Sequence, residues 1–177
     1  ACSKKSLAKT ICLDFNNKYI KTKVSDDVIG IEYSSMLKNI YAIAAGVAHG
    51  LGYGDNFQSI LMSNAIREIK RFIKKKHKIK RNINNSAYLG DLLVTGYSVF
   101  SRNRMFGNMI GKGYTVKAAQ MEMKMIAEGY ISAKKAMQLN RDNIKKAKTP
   151  IIEAVHAILY EKKSPKNTFK KLNEKLN

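Results

Sequence analysis

The chain contains no tryptophan, two prolines, two cysteines and three histidines among its 177 residues. Cys2 and Cys12 lie near one end, and neither their number nor their spacing is that of a disulfide framework or a metal site. The histidines show no metal-ligand spacing, and no HExxH, CxxC or GxSxG motif occurs. We therefore expect no metal, no zinc chemistry and no serine hydrolysis, and a reducing, cytoplasmic setting fits best.

A long apolar run is also missing. The longest stretch without Asp, Glu, Lys or Arg runs from Asn39 to Gly54 and includes His49 and four glycines. It falls short of the ~20 apolar residues that a transmembrane helix needs. No secretory signal opens the sequence, and we expect no membrane span.

Acidic residues are few. Asp and Glu number 13 against 33 Lys and Arg, which gives a formal net charge of +20. Because apolar residues still make up 45% of the chain, this is the composition of one folded domain rather than of a disordered polyelectrolyte. The positive field favours anionic partners such as nucleic acid, acidic membrane or phosphorylated metabolites. Composition does not choose among them.

Nine of the basic residues fall between Arg67 and Arg81. Such a run is either a nucleic-acid interface or the solvated end of a helix. Its aromatic content is Phe72 alone and most of its charges are lysines, whereas base recognition uses stacking aromatics or arginine forks. The pattern therefore favours a solvated face, and we expect no nucleic-acid partner.

The first thirty residues differ in pattern from the rest. Ser3 to Phe15 could form a short helix with Leu7, Ile11 and Phe15 on one stripe, and Tyr19 to Val24 alternates as a strand does. This predicts a small α/β remnant that cannot bury both faces of its strand alone.

From Glu32 onward the apolar residues recur at intervals of three and four, which predicts a mainly α fold. The first helix, up to Gly50, is apolar nearly all round and is predicted to be central and buried, with Lys38 and Asn39 as its exceptional polar residues. The stretch from Arg81 to Arg104 has no sustained period and predicts a long loop or a broken connection. Further helices are predicted from Asn56 to about Lys78, Met105 to Ile110, after Thr115, Tyr130 to about Asn140, and after the N-cap and proline pairs Thr149-Pro150 and Ser164-Pro165.

Polar residues with chemical potential gather within that predicted loop. From spacing alone, Ser101 could be a helix cap and Arg102 a surface charge, or both could belong to a site. Lys38 has a similar ambiguity, because it either extends to the surface or points into a cleft where it can donate a proton. The candidates in the loop are Asp91, Thr95, Ser101, Arg102, Asn103 and Arg104.

Four segments carry a family resemblance. They are DDVIGIEYSSMLKNIYAIAAGVAHGLGYGDN (Asp26 to Asn56), LGDLLVT with SRNRMFG (Leu89 to Gly107), AEGYISAKKA (Ala127 to Ala136) and TPIIEAVHAILYE (Thr149 to Glu161). In order and approximate spacing they resemble the carboxy-terminal half of bacterial NAD(P)-dependent glycerol-3-phosphate dehydrogenase. The LKN and SRNR-FG signatures together are specific.

The resemblance implies a multi-helix substrate-binding domain of the 6-phosphogluconate-dehydrogenase-like C-terminal type at residues 29–177. Residues 1–28 would be the tail of an amino-terminal Rossmann domain, against which the helical domain closes. NAD(P)H would reduce dihydroxyacetone phosphate to sn-glycerol 3-phosphate for glycerophospholipid synthesis, in an enzyme that is commonly a homodimer. Because the sequence holds no GxGxxG turn after a strand, we expect the chain to belong to a longer enzyme and to be inactive alone.

The resemblance also assigns roles to residues. Lys38 matches the catalytic lysine that protonates the alkoxide forming at the substrate's central carbon, and Asp91 matches the carboxylate that orients this lysine. Thr95 falls at a neighbouring polar position of the substrate site. A desolvated lysine can stabilise a developing oxyanion, which agrees with this allocation.

The remaining matched positions concern the phosphate and the cofactor. Arg102 and Asn103 match the pair that holds the substrate phosphate, with Ser101 alongside. Ile126 and Glu128 match positions that touch the cofactor, to which Arg102 also contributes. A guanidinium fork suits a phosphate dianion.

The sequence departs from the family pattern at two places. Tyr88 stands where the family commonly has a small residue, and Gly96 follows Thr95 where cysteine is frequent. Two other functions stay open: a free-standing basic helical domain that binds nucleic acid or acidic surfaces, and a related 2- or 3-hydroxyacid dehydrogenase domain. The latter would not usually carry the adjacent Arg-Asn pair.

Overall fold

Helices make up the regular structure of the computed structural model, which describes residues 1–142 and 146–176; these contain no strand. A single π-helical turn, Ser86–Gly90, accompanies the α-helices. The α-helices are α1 (Lys5–Phe15), α2 (Val28–Gly50), α3 (Asp55–Lys76), α4 (Asp91–Tyr97), α5 (Arg102–Gly111), α6 (Val116–Glu122), α7 (Glu128–Arg141), α8 (Pro150–Tyr160) and α9 (Pro165–Asn173).

Helix α2 is the centre of the fold, as its apolar pattern predicts. Leu37, Ile40 and Ile43 have no exposed surface, and α2 packs against α3, α4, α5, α7 and α8. It begins at Val28, earlier than its periodicity predicts, because the Asp27 carboxylate accepts a hydrogen bond from the Gly30 N–H at 3.0 Å and caps the helix.

Glycines bring α2 and α5 into backbone contact. A Cβ atom on Gly46 of α2 would overlap the Arg104 carbonyl, and one on Gly107 of α5 would overlap the Ile43 carbonyl. Gly50 and Gly111 meet in the same way. Because side chains do not separate the two helices, the amino-terminal end of α5 is held at a fixed position along α2.

The two proline-started helices are confirmed, but the Thr149 side chain makes no capping bond, and another residue caps α8. Its Ile151 and Ile152 N–H groups donate to the two carboxylate oxygens of Glu68 on α3 at 3.1 and 3.0 Å. Glu68 has no exposed surface, and this burial raises its pKa to about 8. A buried acidic group thus joins α3 to α8.

The predicted α/β remnant is wrong in part. Its helix forms as α1, but Tyr19 to Val24 is irregular rather than a strand. The Asn17 side chain instead accepts the N–H groups of Tyr19 and Ile20 in a turn. The physical reason is that the described residues offer no second strand to pair with this one.

The stretch from Arg81 to Arg104 is a broken connection rather than a long loop. The π turn at Ser86–Gly90 leads directly into α4, and α5 begins at Arg102. Tyr88 and Leu92 are buried, so tertiary packing supports turns that are too short to show a helical period. None of the helices in the described part of the chain has the length and apolar character needed to cross a bilayer.

Candidate functional site

A lysine and a carboxylate meet at the edge of the buried core. Lys38 Nζ lies 2.6 Å from Asp91 Oδ1, and the two side chains are 21% and 36% exposed. Lys38 comes from the otherwise apolar helix α2, and Asp91 is the first residue of α4. Lys38 therefore faces a carboxylate at the edge of the core, where its partly exposed ammonium can reach both its counter-ion and a bound molecule.

Asp91 is held by its own helix. The Thr95 hydroxyl donates to the Asp91 carbonyl oxygen at 2.7 Å, one turn along α4. This bond engages the backbone of Asp91 and leaves its carboxylate to Lys38. Thr95 therefore helps to fix the backbone of Asp91 without competing with Lys38 for the carboxylate.

A buried amide network joins three helices next to that pair. Asn103 Nδ2 donates to Asn39 Oδ1 at 3.0 Å, and Asn103 Oδ1 accepts from the Gly129 N–H at 2.8 Å. Asn39 Nδ2 lies 3.4 Å from Glu128 Oε2. Asn103 is 7% exposed, so its amide fixes α5 and α7 to α2.

Asn39 was missing from the candidate residues of the sequence analysis. Its signal was present, because it is a polar residue on an apolar helix and the last letter of LKN. Its partner lies 64 positions away, which no local pattern reveals. Lys38 and Asn39 are consecutive, and each anchors one half of the candidate site.

The amino terminus of α5 presents a cation and a cap. The Ser101 hydroxyl accepts from the Arg104 N–H at 3.3 Å, so Ser101 is the helix cap that its spacing allowed. Arg102 Nη2 lies 3.6 Å from Glu128 Oε1, with the two side chains 41% and 64% exposed. A guanidinium at a helix amino terminus is a favourable place for an anion.

A cleft of about 650 Å³ adjoins this end of α5. Its lining includes Met36, Arg102, Ile126, Glu128 and Lys135. Ile126 is 70% exposed at the rim. The cleft combines apolar walls with both signs of charge, and it brings together the three residues matched to the cofactor.

The candidate residues thus form two groups. The first group is Lys38, Asp91 and Thr95. Asn39, the residue after Lys38 on α2, bonds Asn103 and so ties the second group to the first. The second group is Ser101, Arg102, Asn103, Ile126 and Glu128. Within residues 1–142 and 146–176, no group of three or more His, Cys, Asp or Glu is placed to hold a metal ion.

Comparison with known proteins gives a consistent result. The family model for the NAD-dependent glycerol-3-phosphate dehydrogenase C-terminus matches residues 27–170. A glycerol-3-phosphate dehydrogenase [NAD(P)+] of Agathobacter rectalis is 40% identical over 158 residues, covering 89% of this chain and 46% of the relative. One from Staphylococcus aureus is 36% identical over 171 residues, covering 97% and 51%.

Solved structures agree in fold. The glycerol-3-phosphate dehydrogenase of Coxiella burnetii superposes with a TM-score of 0.89 at 29% identity, over 96% of this chain and 51% of that one. The chain spans about half the length of the curated relatives it matches.

Proposed function

The chain belongs to the family of NAD-dependent glycerol-3-phosphate dehydrogenase C-termini, and from this premise we propose that it is the substrate-binding and catalytic half of an enzyme that reduces dihydroxyacetone phosphate to sn-glycerol 3-phosphate. The supporting observation is the arrangement around two consecutive residues. Lys38 pairs with Asp91, and Asn39 holds Asn103 beside Arg102. The helix that carries the proton donor thus also holds the anion site at the start of α5 in place.

The phosphate binds at the start of α5. Arg102 supplies the guanidinium, and its exposed Glu128 contact is loose enough at 3.6 Å for a dianion to displace it. Asn103 uses one Nδ2 hydrogen on Asn39 and directs the other to the phosphate. The Ser101 hydroxyl, which accepts from Arg104 N, donates its own hydrogen to the same anion.

Lys38 acts at the carbonyl group on the central carbon of dihydroxyacetone phosphate. Its ammonium donates a hydrogen bond to the carbonyl oxygen and gives up a proton as that oxygen becomes an alkoxide. Asp91 keeps the ammonium in place throughout, because it accepts at 2.6 Å. Thr95 acts through the Asp91 backbone.

The residues beside the cleft fit a nicotinamide dinucleotide. Glu128 can accept from ribose hydroxyls, Arg102 can donate to pyrophosphate oxygens, and Ile126 offers an apolar contact. When bound, the reduced nicotinamide supplies the hydride. This chain contributes one wall of the NAD(P)H site.

Most of the dinucleotide is held elsewhere in the proposed enzyme. Because the chain spans about half of its relatives, we assign residues 29–177 to the substrate domain and residues 1–28 to the tail of a Rossmann domain. Leu7, Ile11 and Phe15 on α1 are 48%, 45% and 62% exposed, which fits a helix that docks onto such a domain. The chain alone is proposed to be inactive, and the whole enzyme to be a cytoplasmic homodimer.

The test is to join the chain to the amino-terminal half of a family member and follow NADH and NADPH oxidation. We expect turnover with dihydroxyacetone phosphate and none from the separate chain. Faster reduction of a phosphate-free ketoacid would overturn the substrate assignment. Tight polyanion binding that weakens steeply with salt and is lost with the triple change of Lys74, Lys75 and Lys76 to Ala would support the basic-domain alternative.

A further inference from the structure

A buried ionic cluster lies at the beginning of α2. Asp27 accepts from Arg81 Nε at 2.5 Å and from Arg81 Nη2 at 2.8 Å. It also accepts from the Tyr88 hydroxyl at 2.5 Å. With the Gly30 N–H, the carboxylate receives four hydrogen bonds, so its burial at 4% exposure is compensated.

The titration behaviour agrees with this bonding. Hydrogen bonds from Arg81 hold the pKa of Asp27 well below its usual range. Burial, together with the neighbouring Asp27, raises the pKa of Tyr88 to about 12. Asp27 is therefore charged and Tyr88 is a neutral donor at neutral pH.

Tyr88 connects this cluster to the candidate site. It lies in the π turn Ser86–Gly90, and the next residue after the turn is Asp91. The Tyr88 hydroxyl donates to Asp27, whereas Asp91 accepts from Lys38. On α2, Lys38 lies about three turns beyond Asp27. The segment from Tyr88 to Asp91 is thus attached to α2 at two separated points.

The turn needs such an attachment. A π turn has poor intrinsic stability and persists where its surroundings support it, often beside functional residues. Tyr88 is 3% exposed, and its hydroxyl bond spans 61 positions of sequence.

We infer that Tyr88, backed by Asp27 and Arg81, is a positioning residue that sets the approach of the Asp91 carboxylate to Lys38. The inference rests on the proposed function for its kinetic consequence. Loss of the Tyr88 hydroxyl would loosen the turn and misplace Asp91. The proposed phosphate-binding residues at the start of α5 would be unaffected, because Asn39 and Gly129 hold Asn103 independently of Tyr88.

The test is Tyr88→Phe in the complete enzyme, with Tyr160→Phe as the matched control. The Tyr160 hydroxyl also makes a part-buried bond, to the Tyr130 carbonyl at 2.6 Å, but between α8 and α7. We expect kcat to fall about tenfold in Tyr88→Phe, with KM for dihydroxyacetone phosphate changed less than about twofold. Tyr160→Phe should lower Tm about as much as Tyr88→Phe does, but it should leave kcat unchanged.

A double variant separates positioning from general destabilisation. If Tyr88 acts through Asp91, Tyr88→Phe has no further effect on kcat in an Asp91→Asn background. Equal losses in both backgrounds, or an unchanged kcat in Tyr88→Phe, would overturn the inference. Should Tyr88→Phe not fold, Arg81→Lys replaces it, and a kcat decrease of about threefold is expected from loss of the guanidinium fork.

A second measurement does not depend on turnover. The side-chain ¹⁵N signal of the Lys38 ammonium, protected from exchange by Asp91, should weaken in Tyr88→Phe and persist in Tyr160→Phe. If the wild-type enzyme does not reduce dihydroxyacetone phosphate, the proposed function fails while this signal still decides the inference. An unchanged signal in Tyr88→Phe would overturn it.

Discussion

Asn103 on α5 donates to Asn39 on α2 at 3.0 Å, in a bond buried between the two helices. Asn39 directly follows Lys38, so the helix that carries the proposed proton donor also fixes the proposed phosphate site. The glycine contacts between α2 and α5 add to this constraint, because they leave no side chain that could rearrange at the crossing. The distance between the two halves of the site is therefore set by backbone packing.

The hydrogen bond between Asn103 and Asn39 should contribute to substrate binding and to stability. Asn39→Ala removes the partner of Asn103 and should lower the free energy of unfolding by about 1–3 kcal/mol. KM for dihydroxyacetone phosphate should rise more than kcat falls. Asn140→Ala is the matched control, because Asn140 is a buried amide that bonds Ala147 at the other end of α7. An equal rise in KM for both variants would argue against a specific role for Asn39.

Arg102 should determine the affinity for the phosphate. Arg102→Ala should raise KM for dihydroxyacetone phosphate about 10- to 100-fold, since charged hydrogen bonds contribute about 1.5–3 kcal/mol. With NAD(P)H at saturating concentration, the slow reduction of phosphate-free dihydroxyacetone should be unaffected. Steady-state kinetics with both substrates checks this, with Lys74, Lys75 and Lys76 changed together to Ala as a control for general charge. Similar losses with both substrates would contradict the assignment.

The helix crossing predicts sensitivity to a single methyl group. Gly107→Ala should destabilise the fold by about 1–3 kcal/mol or more, because its Cβ would overlap the Ile43 carbonyl. Gly54→Ala is the control, since a Cβ at Gly54 would meet no heavy atom of the described residues within 4 Å. Urea denaturation of both variants measures the difference. Equal midpoints would show that α2 and α5 are not in backbone contact.

Glu68 should give the fold a pH dependence. Its pKa in the folded state, about 8, is above the ordinary glutamate value, so folding favours the protonated form. Its stabilising contribution is therefore complete below about pH 4 and is lost as the pH rises through about 8. Denaturation of wild type and Glu68→Gln between about pH 5 and 9 isolates this contribution. The wild type should lose stability relative to the variant, and the reverse slope would contradict the burial of Glu68.

Sequence alone could predict the parts of the fold that carry local signals. Helix α2 follows from its apolar residues, and α8 and α9 follow from capping residues before Pro150 and Pro165. The π turn and the seven-residue α4 could not be predicted, because tertiary burial of Tyr88 stabilises them. Tyr19 to Val24 has the alternation of a strand but no partner in the described residues.

The candidate site likewise has a part that the sequence could predict and a part that it could not. The roles of Lys38, Asp91 and Arg102 came from motifs that resemble a family, since spacing alone left Lys38 and Arg102 ambiguous. The contacts of Asn39 and Tyr88 had no local signal, because their partners lie 64 and 61 positions away. Only the folded chain brings those groups together.

The most direct test of the account is the single-turnover rate of hydride transfer in the complete enzyme with Lys38→Met. If Lys38 is the proton donor, the rate should fall by about 10³-fold or more. Glycerol 3-phosphate should still bind within about threefold of wild type, because Arg102 and Asn103 remain. A rate within about tenfold of wild type would contradict the central claim that Lys38, held by Asp91, carries the chemistry of this chain.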